Sequence, residues 1–196
     1  MLSHLPATIL AGGRSSRMGT DKALTMLAGR PLLAHVLDAL RPQTSAILLN
    51  TNADPARFAA FGLEIAADVL PGQPGPLAGL LTAMEWAHAL GAHRVLTVSI
   101  DTPFLAADLA IRLAAAGPDT VIAASKGRLH PTIGLHPTAL APALRAALNA
   151  GTRRVTDWLA SVGFATAAFP HTTQDPFLNI NTPAELSVAQ GLLTPD

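Results

Sequence analysis

Cysteine is absent from this chain of 196 residues, which excludes disulfide cross-links, thiolate metal sites and a thiol nucleophile. Hard oxygen ligands remain open to a metal, and the lack of thiols suits a reducing cytosol. An excess of either charge is missing as well. The 13 Lys and Arg balance 13 Asp and Glu, so no global basic field points to nucleic acid or to an anionic membrane. Any anion must be bound by local groups. Long apolar runs are also lacking: the mean hydropathy of +0.36 owes much to alanine, and Pro, Gly or charges interrupt each stretch before it could span a bilayer. The first residues, MLSHLPATILAGG, have no basic n-region and break at the glycines, unlike a signal peptide. There is no internal repeat, charge block or low-complexity linker. The expectation is a cytoplasmic chain with neither nucleic acid nor membrane as partner, long enough for one domain with an ample core.

What the chain does have is a glycine-rich loop. Leu10 to Ala23 reads LAGGRSSRMGTDKA and follows a short apolar run. Gly12 and Gly13 carry no Cβ, so the backbone can turn sharply and bring its N–H groups against a ligand oxygen. Arg17 adds a planar fork of donors suited to phosphate, and Lys22 a mobile point charge that can follow a departing one. The loop is neither of the two best-known phosphate loops, because it lacks both the Gly-Lys-Ser/Thr ending and the G-x-G-x-x-G spacing. An ordinary strand-to-helix loop with solvated basic residues is the bland alternative. It would need paired glycines, three cations and an upstream strand to coincide.

Beyond the loop, short β-like runs alternate with amphipathic helical stretches, the pattern of a layered α/β fold with a mostly parallel sheet. Strands are expected at Ala7–Leu10, Ala46–Leu49, Leu63–Ala66, Arg94–Ser99, Thr120–Ala124, Thr132–Leu135 and Ala165–Phe169. Helices are expected at Pro31–Leu40, from Leu77 onward, at Ala107–Ala115, Thr138–Ala150 and Arg153–Ser161, and at the C-terminal end. VLPGQPGPLAG, after Asp68, holds too many prolines and glycines for regular structure before Leu77.

Asp101 closes the central Arg94–Ser99 run and precedes Thr102-Pro103, which must stop the strand and start a turn. In open α/β sheets ligands gather beyond the carboxyl ends of strands, so Asp101 and the glycine loop share one crevice. A carboxylate there suits magnesium, which uses one or two carboxylates plus substrate phosphates. Read alone, Asp101 is better explained as a turn or helix cap beside Pro103, and it is the pairing with the phosphate loop that favours the metal role. In FLNINTP, Asn179 and Asn181 would share one face of a strand, with Thr182 and Pro183 starting the next helix. In RLHPTIGL, His130 precedes a proline in an expected loop, where its imidazole meets a phosphate or oxo group or serves structure alone. In GTRRV, Arg153 and Arg154 sit at an expected helix start, where cations oppose the dipole; an anionic ligand and an ordinary surface position both account for them.

Taken together, these stretches resemble nucleotidyltransferases that activate a phosphate as a nucleotide diphosphate. The paired glycines resemble the molybdenum cofactor guanylyltransferases in particular. Asn50 in LLNTN, Asp68 in AADVL, PGPLAG, SIDTPFL, HPTIGL, GTRRV and FLNINTPAEL follow that family in order along nearly the whole chain. The resemblance implies one nucleotidyltransferase domain over residues 1–196, a Rossmann-like three-layer sandwich whose mostly parallel sheet has one antiparallel strand. It implies transfer of GMP from GTP to the terminal phosphate of molybdopterin carrying molybdenum, with pyrophosphate released. By the same resemblance Leu10, Ala11, Gly12 and Gly13 line the guanine nucleotide, Arg17 and Lys22 meet its phosphates, and Asn50 and Asp68 hold the nucleoside. Asp101 is implied as the Mg²⁺ ligand, and His130, Arg153, Arg154, Asn179 and Asn181 as the molybdopterin side. Transient contacts with cofactor-insertion proteins or recipient apoenzymes go with that role. A phosphate nucleophile is already largely ionised near neutral pH, so no strong general base is required. The alternatives are a cytidylyltransferase for the same pterin, a sugar-phosphate nucleotidyltransferase, or a non-catalytic chaperone of the finished cofactor. Gly13 speaks against the first two, which resemble L-A-A-G at this loop, and Lys22 with Asp101 against the third.

Overall fold

The computed structural model describes residues 5–12, 22–70, 72, 75–170 and 175–193. Gly13, Arg14 and Arg17 lie outside the described residues. In chain order the elements begin with β1 (Pro6–Leu10), β2 (Met26–Leu27), β3 (Arg30–Pro31), α1 (Leu32–Leu40), β4 (Ala46–Asn50) and β5 (Glu64–Ala66). They continue with α2 (Pro76–Ala89), β6 (Arg94–Ser99), α3 (Leu109–Ala115), β7 (Val121–Ser125) and β8 (Arg128–Pro137). The last are α4 (Ala141–Asn149), α5 (Val155–Val162), β9 (Ala165–Ala168) and α6 (Pro183–Leu193).

The order across the main sheet is β5-β4-β1-β6-β8-β7-β9. All neighbours are parallel except at β8, which runs antiparallel to both β6 and β7. Helices cover both faces. Ile9, Leu96, Val98 and Val121 pack on one side with Leu33, Val36 and Leu37 of α1 and Leu109 and Leu113 of α3. Val95 and Ile122 point the other way, onto Leu80, Leu81 and Met84 of α2, Leu144 and Leu148 of α4 and Trp158 of α5. The alternation Val95, Leu96 and Val98 follows from the two-residue strand period, and burial on both faces explains why these strands read as continuous apolar runs. This is the expected three-layer α/β sandwich with one antiparallel strand.

Local chemistry sets the element ends that matter for the site. Leu32, Leu33, Val36, Leu37 and Leu40 of α1 are all buried at helical spacing behind Pro31. In α2, Gly75 takes the N-cap position at φ 141° and Pro76 follows within the first turn, so the proline and glycine run ends where a helix can begin. α2 also approaches β4 closely, for a Cβ on Gly79 would run into Asn50 Oδ1 and lie 3.0 Å from Leu10 Cδ2. Only glycine fits there without moving Asn50.

Three local expectations are corrected. First, β2 and β3 form a small antiparallel ribbon and Pro55–Phe61 a 3₁₀ helix, where no regular element was expected. Second, β8 begins at Arg128, so His130 lies on a strand and not in a loop. Lys126 and Gly127 turn the β7–β8 hairpin with φ of 50° and 71°. Pro131 cannot donate to the ladder, so the register jumps: Ala123 pairs with His130 and Ile122 with Gly134, while Pro131, Thr132 and Ile133 bulge out. The buried Thr97 hydroxyl donates to Thr132 O at 3.0 Å and pins the bulge. Third, residues 177–181 form no strand, and Phe177 and Ile180, three apart, are the buried anchors.

Candidate active site

The sheet order reverses beside β1: the chain steps from β1 outward to β4 and β5, then returns to place β6 on the other side. Ligands of open α/β sheets bind at such a switch point. The carboxyl ends of β1, β4, β5, β6 and β7 all lie at this end of the sheet, and they carry the candidate residues.

Under β1, Leu10 and Ala11 are tied into the sheet. Leu10 O accepts from Ile100 N at 3.2 Å, and Ala11 N donates to Asn50 O at 2.9 Å. Gly12 is the exposed member of the three. On the β4 side, Asn50 is buried and donates through Nδ2 to Asp68 Oδ1 at 3.0 Å and to Ala66 O at 3.2 Å. Asn52 donates to the other carboxylate oxygen at 2.9 Å and accepts from the Asp68 N–H at 3.0 Å. Asp68 is thereby aimed by two amides, one of which sequence reasoning passed over. Its signal was the second asparagine of LLNTN, and only the fold turns that spacing into a reciprocal pair.

At the switch point itself, Lys22 Nζ donates to Asp101 Oδ2 at 3.1 Å and to Asn181 Oδ1 at 2.5 Å. The ion pair is partly shielded, with both side chains 18% exposed. The segment bearing Asn181 is held in place by Ile180 N, which donates to Asp101 O at 2.9 Å. A capping box then starts α6: the Thr182 hydroxyl accepts from Glu185 N at 3.2 Å, and Glu185 Oε2 accepts from Thr182 N at 2.9 Å and Asn181 N at 2.7 Å. Those bonds, led by the Asn181 N–H and aided by the charge of Lys22, outweigh burial and hold the Glu185 carboxyl below its ordinary range. Asn181 is thus brought against Lys22 despite the long sequence separation, whereas Asn179 is exposed.

On the β7–β8 side stands a polar chain. His130 Nε2 lies 2.8 Å from Ser125 Oγ, which donates to Asp175 Oδ1 at 2.7 Å. Phe177 N donates to the same carboxylate oxygen at 3.0 Å. Burial pushes the His130 pKa below the ordinary histidine value, against the pull of Asp175 and together with the repulsion of Arg128. Ser125 and Asp175 were not anticipated, because the hairpin brings Ser125 to His130 and the segment after β9 brings Asp175 to Ser125. The two arginines of GTRRV separate. Arg153 Nη1 donates to Leu148 O at 2.7 Å and Thr152 O at 2.8 Å, so it caps the end of α4, where a cation is favoured, and does not oppose the α5 dipole. Arg154 is the exposed N-cap of α5. Among the described residues no helix is long and apolar enough to cross a membrane.

A family model described as the MobA-like NTP transferase domain matches residues 7–163. The chain is 45% identical over 96% of its length to a molybdenum cofactor guanylyltransferase of a Bradyrhizobium species, 92% of which is covered. The chain belongs to the molybdenum cofactor guanylyltransferase family. A family member from Cereibacter sphaeroides is 46% identical, with 96% of both chains covered. As a nucleotidyltransferase of this family, the chain shares its fold with solved structures. Molybdopterin-guanine dinucleotide biosynthesis protein A from Archaeoglobus fulgidus superposes with a TM-score of 0.74 at 22% identity, covering 96% of this chain and 98% of that one. A 4-diphosphocytidyl-2C-methyl-D-erythritol synthase from Anaerococcus prevotii reaches 0.75 at 13% identity, covering 97% and 96%.

Proposed function

We propose that the chain transfers GMP from GTP to the terminal phosphate of molybdopterin carrying molybdenum, forming the guanine dinucleotide cofactor and pyrophosphate. The observation that carries this reading is the meeting of Lys22, Asp101 and Asn181 at the switch point, with the Asn50–Asp68 pair to one side and His130 to the other. A phosphate oxygen of the pterin attacks the α-phosphorus of GTP; the bond from that phosphorus to the bridging oxygen breaks, and pyrophosphate leaves. Both reactants are anions, so catalysis rests on holding them together and neutralising charge. Lys22 can exchange its partners Asp101 and Asn181 for a phosphate oxygen and follow the departing charge. Leu10, Ala11 and Gly12 seat the nucleotide, with Gly13 and Arg17 of the same motif assigned to base approach and leaving pyrophosphate. Asp68, aimed by Asn50 and Asn52, serves the nucleoside, and Asn179, Asn181 and Arg154 the pterin.

The Asp101 carboxylate, partly exposed and paired with Lys22 at 3.1 Å, is the group that would hold Mg²⁺, an ion that commonly takes one or two carboxylates together with substrate phosphates and waters. When bound, the ion supplies positive charge to the phosphates. Pyrophosphate release should require GTP and molybdopterin together. Release with CTP or ATP at an equal rate would overturn the base assignment, and no release with any nucleotide would turn the reading toward a binding module.

A further inference from the structure

The hydroxyl of Ser125 has one hydrogen and two polar neighbours, and that arithmetic fixes the state of His130. Asp175 is held ionised: burial raises its pKa, but the bonds from Phe177 N and Ser125, with the charge of Lys126, bring it below the ordinary value. A carboxylate only accepts, so the Ser125 hydrogen goes to Asp175 Oδ1 at 2.7 Å. The 2.8 Å contact between Ser125 Oγ and His130 Nε2 must then be donated by the imidazole. Nε2 carries the proton, and in the neutral ring Nδ1 is a bare acceptor. The ring is also fixed in orientation, its centroid 4.8 Å from that of Phe177, which is itself packed edge-on at 5.0 Å against Phe169. The ring's hydrogen bond to Ser125 is made through Nε2, which leaves Nδ1 on the opposite side of the imidazole.

We propose that Asp175 and Ser125 are positioning residues that lock His130 in its Nε2–H tautomer, so that Nδ1 accepts a hydrogen bond from a ring N–H of the pterin-type acceptor. The inference rests on the acceptor reading given above. A heterocyclic N–H is the matching donor, since a phosphate monoester near neutral pH is mostly doubly ionised and has little O–H to offer. Discrimination by such a bond also reaches groups that pure charge attraction does not distinguish.

The test is long-range proton–nitrogen correlation of ¹⁵N-labelled full-length chain at mildly alkaline pH. The free protein should show His130 protonated at Nε2 alone. Asp175→Ala releases the Ser125 hydroxyl to donate to Nε2, so a population protonated at Nδ1 should emerge, and adding Ser125→Ala should reduce it to the mixture of an unrestrained imidazole. Asp175→Asn, which keeps an acceptor oxygen, should retain the single tautomer and guards against a folding defect in the alanine variant. Molybdopterin should shift the Nδ1 signal, and Asp175→Ala should raise the KM for molybdopterin about tenfold with that for GTP unchanged, the worth of one hydrogen bond. A wild-type proton on Nδ1, or one tautomer throughout the Asp175→Ala series, overturns the lock. An Nδ1 signal unmoved by bound molybdopterin, or moved equally by inorganic phosphate, overturns the pterin N–H assignment. Failure of molybdopterin to bind at all in calorimetry removes the acceptor reading and this role with it, and the tautomer of the free protein separates the two failures.

Discussion

Lys22 gains its meaning from its neighbours. An isolated lysine in a loop is a solvated charge, but here it sits between Asp101 and Asn181, with Glu185 adding negative potential. Removing it should cost GTP affinity about ten- to a hundredfold, the range of a charge-assisted hydrogen bond, as calorimetry of Lys22→Ala would show. Unchanged affinity would return Lys22 to the role of a partner for Asp101 alone. Asn50 and Asp68 act as a pair, so Asn50→Ala should resemble Asp68→Ala in GTP binding although Asn50 is buried. At this scale the sequence pointed to Lys22, Asp101 and Asn181, which the fold brings together, because a strand-end Asp and asparagines beside a proline each restrict the backbone in a recognisable way. Asn52, Ser125 and Asp175 were not legible. Each is an unremarkable polar residue until a second strand brings its partner within reach, and the periodicity of one segment carries no information about another.

At the scale of elements, the strands and helices of the main sheet follow from apolar runs and their period, and they stand within a few residues of expectation. The exceptions share a cause. β8 was foreshortened because Pro131 reads as a break, whereas the strand absorbs it as a bulge pinned by Thr97. FLNINTP reads as alternating, yet Phe177 and Ile180 bury at a spacing of three because hydrogen bonds to Asp175 and Asp101 fix the path. The capping box of α6 therefore has two consequences: it starts the helix, and it holds the Asn181 backbone beside Lys22. Thr182→Ala should lower stability by about 1 kcal/mol in denaturant titration. Turnover should fall in the same variant, and a loss of stability with turnover unchanged would show that the box serves the helix alone.

At the scale of the whole molecule, the buried His136 couples folding to pH. Burial, with the positive charge of Arg94 as a second cause, pushes its pKa down to about 3. Neither ring nitrogen has a partner among the described groups. In the unfolded chain the imidazole returns to the ordinary value of about 6.5, so between these values the unfolded state binds the extra proton. Stability is therefore lost as pH falls below about 6.5, at up to about 1.4 kcal/mol per pH unit from this one group, until the folded pKa is reached. Urea unfolding of His136→Leu across that range should show a flatter acid limb than the wild type, and parallel limbs would mean that His136 gains protons before unfolding.

The same sheet that buries His136 delivers two sets of groups to one end of its strands, and the switch point between β1 and β6 is where they meet. Single-turnover GMP transfer by Asp101→Asn, with GTP and molybdopterin both saturating and Mg²⁺ limiting, examines that junction directly. The carboxamide keeps the shape and removes the charge. The transfer rate should fall about a hundredfold or more, the scale of losing one preorganised electrostatic contact, while the thermal unfolding midpoint stays near that of the wild type. A rate close to wild type under limiting Mg²⁺ would contradict the assignment of Asp101 as the metal-holding residue and, with it, the placing of phosphoryl chemistry at the switch point.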